Sequence, residues 1–432
     1  MNLSKLTERI SQALLIVLIV ISLVLSYFIW FNPEKSLTDE TISENLKDEN
    51  SILSEKTVFL PIYLISRTDG KMRWIQGENV LSDAQKILSN VKFGKIKFHK
   101  ATNDDFQKTM NVENGLELRY EDKFLFGEYQ EAFNLKIKKI SDSEQSFWFR
   151  RVLVNFSNGM VYFVNDETKQ YIEVAGNINQ KSFESLIQSK ELKSLPVSEN
   201  HEILGVRYAI DEQIELKKYS YIVASQPYTV FRDAFFQNVK HTTFDVEVPY
   251  VNDSNENFDV KETNGQLSFQ GFIGTERSEN EIEGSFQYVQ NLGNIFPQLR
   301  FFAKEEKGTI YRTFVEGYPV FSQIDQGKVI VSFGLETGEG RTITLRSNVD
   351  TLQVPIPTNE MIRLPKTMDV IKQLQNAGAK QSEIKSLVIG YSWGELNKNN
   401  SIVDLLPNWF IHYKQEWLPL SVLLENLQKG EK

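Results

Sequence analysis

ISQALLIVLIVISLVLSYFIWF, residues 10–31, is the apolar stretch around which the rest of the chain is arranged. As a helix rising about 1.5 Å per residue, it matches the ~30 Å hydrocarbon core of a bilayer. A cleaved secretory signal is the alternative, but its apolar core is shorter and small residues follow it. Here the run ends in bulky aromatic residues, of which Tyr27 and Trp30 suit the membrane interface. The sequence therefore predicts an uncleaved transmembrane helix with Tyr27 and Trp30 as interface anchors.

The orientation of this helix follows from the short segment that precedes it. Residues 1–9 carry Lys5 and Arg9, while Lys35 and Lys47 follow the span, so basic residues alone give little asymmetry. A nine-residue basic tail stays inside most easily, and no later run reaches 18 consecutive apolar residues. We expect a single-pass protein of the cell membrane with a cytoplasmic tail at 1–9 and an extracytoplasmic C-terminal region.

Composition excludes several classes of protein. The 432 residues contain 41% hydrophobic residues, enough for real cores in two or three domains. A net charge of −9 without a dense Lys/Arg cluster argues against nucleic acid as a partner. Cysteine is absent, which excludes disulfides, thiolate metal sites and cysteine nucleophiles. The protein is predicted to be globular outside the membrane.

Changes in composition along the sequence divide the predicted extracytoplasmic part into segments. Residues 32–57 are charged and nearly free of aromatic residues, which predicts a linker or stalk. From Val58 onwards, short apolar and aromatic runs alternate with turn signals. Pro196 marks a boundary near residue 200, and another block of strands begins near Thr309. The predicted domains are an N-terminal domain at 58–200, a middle α+β domain at 201–305 and a C-terminal α+β domain at 306–432.

Local patterns predict mainly antiparallel sheets with packed helices, an α+β fold. Hairpin turns are expected at residues 157–159 and at Asn264-Gly265, each between alternating apolar runs. Predicted helices are 81–91 with Ser82 as N-cap, 180–192, one starting at Pro227 or Tyr228, and 368–377 with Thr367 as N-cap and Gly378 as the C′ residue.

One catalytic motif occurs. Residues 390–394, GYSWG, fit the G-x-S-x-G nucleophile elbow, and Asp404 and His412 follow in hydrolase order. The elbow must open a long helix, however, and the residues after it contain three asparagines and no apolar period. We therefore interpret Ser392 as part of a strand end that packs Tyr391 and Trp393 into a core, and we expect no enzyme activity.

Metal and cofactor sites are also not indicated. The four histidines are scattered and none stands four residues from another. Residues 253–259 begin like a calcium loop, but Phe258 occupies the position that needs glycine, and an acidic surface turn is expected instead. No phosphate-binding glycine loop appears. The prediction is a protein without metal or cofactor.

The order of several segments resembles a known family. SLVLSYFIW at 22–30, SYIVASQPYTVFRDAFF at 220–236, YRTFVEGYPVF at 311–321, and IGYSWGE and LLPNWFIHY within 389–413 together are similar to the YycH-type regulatory proteins of low-GC Gram-positive bacteria. The resemblance implies a membrane-anchored accessory protein that joins a YycI-type partner and a WalK-type sensor histidine kinase, and controls cell-wall metabolism through the WalRK two-component system. It also implies that the later domains resemble those of YycI.

Two pairs of residues are candidate partner contacts. Ser22 and Ser26 stand four apart in the outer half of the span, a small-xxx-small spacing that lets two membrane helices approach closely. Arg232 and Asp233 become of interest through the resemblance, as a group that docks a related partner domain; a helix-surface ion pair is the alternative. The aromatic residues beside them are expected in the core.

A short echo links two later segments. Tyr228-Thr-Val-Phe231 and Tyr318-Pro-Val-Phe321 share three of four residues, which predicts corresponding positions in related domains. Two functional hypotheses remain: a regulatory scaffold that acts by binding, and a cell-envelope ectodomain that binds or hydrolyses glycans. Copurification with a membrane kinase favours the first, and a bound glycan or hydrolytic product favours the second.

Overall fold

The structure is a computed structural model in which most of the chain after residue 51 is described. It describes residues 52–137, 140–188, 193–199, 206–236, 242–243, 250–252, 256–273, 280–337, 340–395 and 401–429, and three isolated helical residues, Leu15, Leu18 and Ser22. Within these ranges, no helix is long and apolar enough to cross a membrane. The rest of the predicted span 10–31, the tail and most of the linker lie outside them. The chain divides into two compact units, residues 1–49 and 50–432.

Ten α-helices are described in the second unit, most of them short. They are α1 (Glu55–Val58), α2 (Glu78–Ser89), α3 (Asn103–Met110), α4 (Phe126–Ala132), α5 (Asp142–Gln145), α6 (Gln180–Ile187), α7 (Tyr228–Phe235), α8 (Glu281–Val289), α9 (Thr367–Asn376) and α10 (Leu420–Lys429).

Twenty-five strands are described, and they provide most of the regular structure. They are β1 (Tyr63–Thr68), β2 (Lys71–Ile75), β3 (Phe93–Lys100), β4 (Gly115–Leu125), β5 (Trp148–Asn155), β6 (Met160–Asn165), β7 (Gln170–Gly176), β8 (Ser194–Glu199), β9 (Tyr208–Ile210), β10 (Ile214–Lys217), β11 (Tyr219–Ser225), β12 (Thr242–Thr243), β13 (Tyr250–Asn252), β14 (Asn257–Val260), β15 (Gln266–Ile273), β16 (Leu299–Glu305), β17 (Gly308–Val315), β18 (Tyr318–Phe321), β19 (Lys328–Thr337), β20 (Gly340–Asn348), β21 (Asp350–Ile356), β22 (Met361–Leu364), β23 (Ile384–Trp393), β24 (Ile402–Tyr413) and β25 (Glu416–Pro419).

The strands form three sheets. One has nine strands in the order β3-β7-β6-β5-β4-β1-β2-β8-β9, and a second pairs β10 with β22. The largest has fourteen strands, which are β11 to β21 and β23 to β25. Among the strand pairs described, only β18 and β23 run parallel. The predicted α+β fold with mainly antiparallel sheets is confirmed.

The nine-stranded sheet curls over one of its own faces. Strand β9 lies four positions from β4 in the sheet order, a distance of about 19 Å across a flat sheet. Yet the Tyr208 hydroxyl of β9 donates to Glu117 Oε2 of β4 at 2.7 Å. The edge strands must therefore bend back over β4, and they cover its polar face.

Two hydrophobic cores join residues that are far apart in the chain. The larger one contains Phe59 and Phe124 of the N-terminal segment together with Phe286 and Phe301, and the rings of Phe59 and Phe286 lie 5.1 Å apart. The boundary predicted at residue 305 falls in the hairpin of β16 and β17, so the middle and C-terminal segments share a sheet. The domain boundaries themselves stay a prediction.

The local predictions of helix ends had mixed outcomes. Helix α2 begins at Glu78, so the predicted N-cap Ser82 is wrong; an acidic residue at Glu78 suits the positive end of the helix dipole. Thr367 is also not an N-cap, because it is the first residue of α9 and its hydroxyl accepts the Ile210 N–H at 2.8 Å. Gly378 is confirmed as the C′ residue, with φ +89° and its N–H on the Gln375 carbonyl.

Both predicted hairpins are present, whereas the two similar four-residue segments differ in secondary structure. Gly159 and Gly265 adopt φ +69° and +70° between paired strands, as the turns require. Tyr228–Phe231 begins helix α7, but Tyr318–Phe321 is strand β18. The prediction of corresponding positions is wrong, because three matching side chains do not fix a backbone conformation.

Candidate functional site

The predicted membrane contacts lie almost entirely outside the described residues. Ser22 is helical and exposed. Ser26, Tyr27 and Trp30 are not among the residues described. The assignments of a partner face and of interface anchors stay predictions.

Arg232 and Asp233 lie on the outer face of α7 and bind each other. Their side chains are 27% and 56% exposed, and Arg232 Nη2 lies 2.6 Å from Asp233 Oδ1. The same helix buries Phe231 and Phe235, with Phe236 just beyond it, which confirms the aromatic residues as core. The geometry is that of a surface ion pair, and a docking role stays a prediction.

The G-x-S-x-G residues form part of a strand. Ser392 lies in β23 opposite Leu406, and His412 stands six residues further along β24, roughly 20 Å away. Asp404 is bound by Lys218 at 2.8 Å and by the Ser220 hydroxyl at 2.6 Å. These three residues therefore cannot act as a catalytic triad.

Packing explains why this motif has glycine at residues 390 and 394 and aromatic residues at 391 and 393. A Cβ at Gly390 would lie 2.5 Å from the Pro319 carbonyl oxygen, and one at Gly394 would lie 2.8 Å from that of Asp404. Tyr391 and Trp393 are buried, as predicted. The motif reflects close approach of backbones in a sheet.

No set of three His, Cys, Asp or Glu side chains able to hold a metal ion occurs among the described residues. In the segment that begins like a calcium loop, residues 253–255 lie outside the description. Phe258 is fully buried in the core, and Glu256, two residues before it, is also buried. An acidic surface turn was expected at 253–259. This prediction is wrong for Glu256 and Phe258, because both side chains are buried.

A cluster of buried charged residues lies under the curled edge of the nine-stranded sheet. It is called here the buried arginine cluster, and its members are Arg67, Glu117, Arg119, Arg151, Asp166, Glu199, Arg207 and Tyr208. Glu117 and Arg151 are both 0% exposed. Charged groups are almost never buried so completely unless they are paired, so the pairing geometry decides whether the cluster is stable.

Glu117 lies at the centre of the cluster. Its Oε2 lies 3.0 Å from Arg151 Nη1 and accepts the Tyr208 hydroxyl, while its Oε1 lies 3.4 Å from Arg119 Nη1. Arg67 Nη2 lies 3.6 Å away. Burial alone raises the pKa of Glu117, but the surrounding guanidinium groups outweigh it and hold that pKa at about 2.

Asp166 and Glu199 complete the cluster on its outer side. Arg151 binds Asp166 in a bidentate arrangement, with Nε at 2.9 Å from Oδ2 and Nη2 at 2.7 Å from Oδ1. Burial raises the pKa of Asp166, yet Arg151 and Arg207 bring it well below its usual range. Arg207 Nη2 also lies 3.4 Å from Glu199 Oε1.

A cleft of about 990 Å³ opens beside this cluster. Arg119, Asp166 and Arg207 of the cluster line it. So do residues from the later part of the chain, namely 303–307, Ser382, Ile384, Lys385, Ser386, His412, Gln415 and Trp417. Eight basic and six acidic side chains line the cleft, whereas the whole chain carries a charge of −9. The cleft is therefore more basic than the protein as a whole.

Four side chains that line the cleft lie close together although they come from both halves of the chain, and they are called here the cleft floor: Glu121, Arg150, Ser386 and His412. Arg150 Nη2 lies 3.4 Å from Glu121 Oε1, and Ser386 hydrogen-bonds the same carboxyl. Burial raises the pKa of Glu121 to about 7, and Arg150 offsets only part of that rise. Glu121 is thus a carboxyl that changes charge near neutral pH.

His412 stays neutral at the same pH. It stacks on Trp417 with ring centroids 4.7 Å apart. Burial lowers its pKa to about 4, and the nearby cations Lys385, Arg150 and Arg312 act in the same direction. Asp122 acts in the opposite direction, but it does not outweigh burial and the cations.

Sequence reasoning did not find the cluster or the cleft. In β4, Leu116, Leu118 and Tyr120 alternate with Glu117, Arg119 and Glu121, a pattern that favours one buried and one solvated face. The alternation of charged residues in β4 was the signal in the sequence that could have indicated the cluster. Glu117 of β4 lies between β1, which carries Arg67, and β5, which carries Arg151. The pattern does not reveal that the charged face is covered.

Comparison with known proteins gives a consistent assignment. The sequence matches the family model "YycH protein, N-terminal domain" over residues 8–195 and "YycH protein, C-terminal domain" over residues 206–427. No curated protein sequence matches the chain. The crystal structure of YycH from Bacillus subtilis is similar in fold, with a TM-score of 0.67 at 14% identity over 85% of this chain and 97% of that one.

Proposed function

Because this chain belongs to the YycH family of regulatory accessory proteins, we propose that it regulates a WalK-type sensor histidine kinase together with a YycI-type partner. The two family models cover the sequence from residue 8 to residue 427 with one short gap, and this coverage carries the proposal. The regulated process is cell-wall metabolism. The protein acts by binding, in keeping with a family of regulatory proteins that is not a family of enzymes.

The proposed location is the cell membrane, with the N-terminus in the cytoplasm and residues 50–432 outside. The apolar run at 10–31, its aromatic end and the short basic tail support this topology. In this arrangement the membrane helix contacts the kinase helices and the extracytoplasmic unit pairs with the partner. A coupling of about 1–3 kcal/mol between the two regions suffices for regulation.

The proposed kinase contact is the helix face that carries Ser22 and Ser26. Lipid supplies no hydrophobic drive between helices, so close packing and hydroxyl hydrogen bonds must hold the pair. Replacing both serines by isoleucine keeps the helix apolar but blocks close approach. Two bonds of about 0.6 kcal/mol each correspond to roughly an eightfold loss of association.

The test is crosslinking in membranes that contain the full chain, a WalK-type kinase and a YycI-type protein at matched expression. Val20→Ile with Val24→Ile is the matched control, because these positions face away from the serines in a helix of about 3.6 residues per turn. We expect strong crosslinking for the unchanged protein and the valine control, and a loss for Ser22→Ile with Ser26→Ile.

Two results would contradict the proposal at different levels. No crosslinking of the unchanged protein to either partner would overturn the proposed function. Equal crosslinking of the serine and valine variants would leave the function standing but show that another face makes the contact.

A further inference from the structure

The cleft beside the buried arginine cluster has cations whose partners are incomplete. Arg150 contributes to the floor, and its Nε is buried with no hydrogen-bond partner among the described residues. Its carboxylate partner Glu121 is held at 3.4 Å, a long contact for a charged pair. Donors that are desolvated and unsatisfied gain most from an added acceptor.

Three further cations line the cleft. Lys169, Lys307 and Lys385 line it and form no ion pair with any part of the chain that the structure describes. Lys385 lies close enough to His412 to act on its charge. An anion that enters the cleft therefore meets both a recessed guanidinium and exposed ammonium groups.

Four acidic side chains of the cleft have partners of their own. Asp122 accepts the Lys304 backbone N–H at 3.0 Å, and Glu167 lies 2.5 Å from Lys123. Glu305 is held by the Trp417 indole N–H at 3.0 Å, and Glu306 by Gln415. Each of these four carboxylates therefore already has a partner in the protein, which Lys169, Lys307 and Lys385 lack among the described residues.

From this geometry we infer that the cleft binds a small molecule carrying a carboxylate or phosphate group, which Arg150 and Lys385 hold at the cleft floor. Trp417, stacked on the neutral His412, offers an apolar surface for the body of such a ligand. A cavity of about 990 Å³ lies in the size range of small-molecule sites. The site lies outside the proposed membrane contact and does not depend on it.

Glu121 makes this binding dependent on pH. When ionised it competes with the ligand for Arg150, and when protonated it leaves the guanidinium to the ligand. The groups that face it are Arg119 and Asp122 on its own strand, Arg150 on β5, Tyr63 on β1 and Ser386 on β23, with Lys385 and His412 nearby. Affinity should therefore rise as Glu121 becomes protonated, by about tenfold between about pH 8 and about pH 6.

The test is isothermal titration calorimetry of the full chain in detergent micelles with two probes, oxalate and dimethyl phosphate. Neither probe changes its charge between these pH values, so any pH dependence belongs to the protein. Binding of oxalate identifies a carboxylate site and binding of dimethyl phosphate a phosphate site. Binding of either supports the inference.

Variants locate the site. Arg150→Gln should weaken binding at least about tenfold, and the exposed Lys385→Gln about threefold without risk to folding. Glu121→Gln should bind at about pH 8 as tightly as the unchanged protein at about pH 6. Arg363→Gln, which removes an exposed arginine outside the cleft, is the matched control and should bind normally.

Three outcomes would overturn the inference. The first is that neither probe binds with a Kd below about 10 mM. The second is that Arg150→Gln and Lys385→Gln bind the probes as tightly as the Arg363→Gln control does. The third is that the unchanged protein binds with the same affinity at both pH values. A melting temperature for each variant separates loss of binding from loss of folding.

Discussion

Glu117 is the residue on which the buried arginine cluster depends. It is fully buried and is the carboxylate shared by Arg67, Arg119 and Arg151. Removing its charge would leave Arg119 without a carboxylate partner among the described residues, and would leave Arg67 and Arg151 with only Glu199 and Asp166. Breaking a buried ion pair from one side costs far more than the pair contributes in net terms, because the remaining charge cannot recover its hydration.

We predict that Glu117→Gln lowers the free energy of unfolding at about pH 7 by about 3–5 kcal/mol. The measurement is chemical denaturation of the full chain in detergent, followed by tryptophan fluorescence. Glu215→Gln is the matched control, because Glu215 lies 2.6 Å from Arg363 with both side chains more than half exposed. The control should cost no more than about 1 kcal/mol.

The unchanged protein and Glu117→Gln should also differ in how their stability responds to acid. The pKa of Glu117 is lowered from 4.5 to about 2, so its contribution is present above about pH 4.5 and is lost as the pH falls towards 2. Protonated Glu117 resembles glutamine, and the difference between the unchanged protein and Glu117→Gln should shrink over this window. A difference that stays constant from neutral pH to about pH 3 would show that the charge of Glu117 is not responsible.

Strand β23 shows how an element can imitate a catalytic motif. The parallel pairing of β18 with β23 brings the Pro319 carbonyl against Gly390, and the Phe321 ring lies 2.7 Å from the position of a Cβ there. Backbone oxygen cannot move aside as a flexible side chain can. The strand pairing, not a nucleophile, therefore accounts for glycine at this position.

We predict that Gly390→Ala destabilises the protein by about 2–3 kcal/mol, because the new methyl group overpacks the junction of the two strands. Ser392→Ala should cost about 1 kcal/mol or less, and regulatory output should be unchanged. Both effects can be measured by thermal unfolding, with kinase output followed in cells at matched protein level. Loss of output in Ser392→Ala at a normal protein level would restore the catalytic interpretation.

Within residues 50–432, the segments matched by the two family models are held together by shared contacts. Arg300 of β16 is fully buried and donates to the carbonyl groups of Leu60 and Pro61. The rings of Phe124 and Phe301 lie 5.1 Å apart in the larger core. Each segment therefore buries apolar and polar groups that the other must satisfy.

We predict that residues 206–432 expressed alone do not reach the native fold, since the larger core would lose Phe59, Phe124 and their neighbours to solvent. Co-expression with residues 50–205 should restore a stable complex. Near-ultraviolet circular dichroism and hydrogen exchange of the fragment and the complex provide the measurement. A fragment that unfolds cooperatively by itself, with slow exchange in β23 and β24, would contradict the prediction.

The sequence by itself determined part of the local structure of this protein, although not the first residues of α2 and α9. Alternating strands, the glycine turns at Gly159 and Gly265, the end of α9 at Gly378 and the burial of Phe231 and Phe235 followed from patterns within a few residues. Such features depend on backbone sterics and on the period of the helix or strand, which neighbouring residues specify. The order of several such segments was also enough to indicate the family.

Only the tertiary structure decided where charge is buried. The charged face of β4 has the pattern of a solvated surface, and it is covered because Tyr208, 91 residues after Glu117, folds over it at the curled edge of the sheet. The cleft likewise needs Ser386 and His412, more than 200 residues beyond Glu121. Burial and pKa depend on which distant segment displaces water from a face, and a local pattern carries no information about that segment.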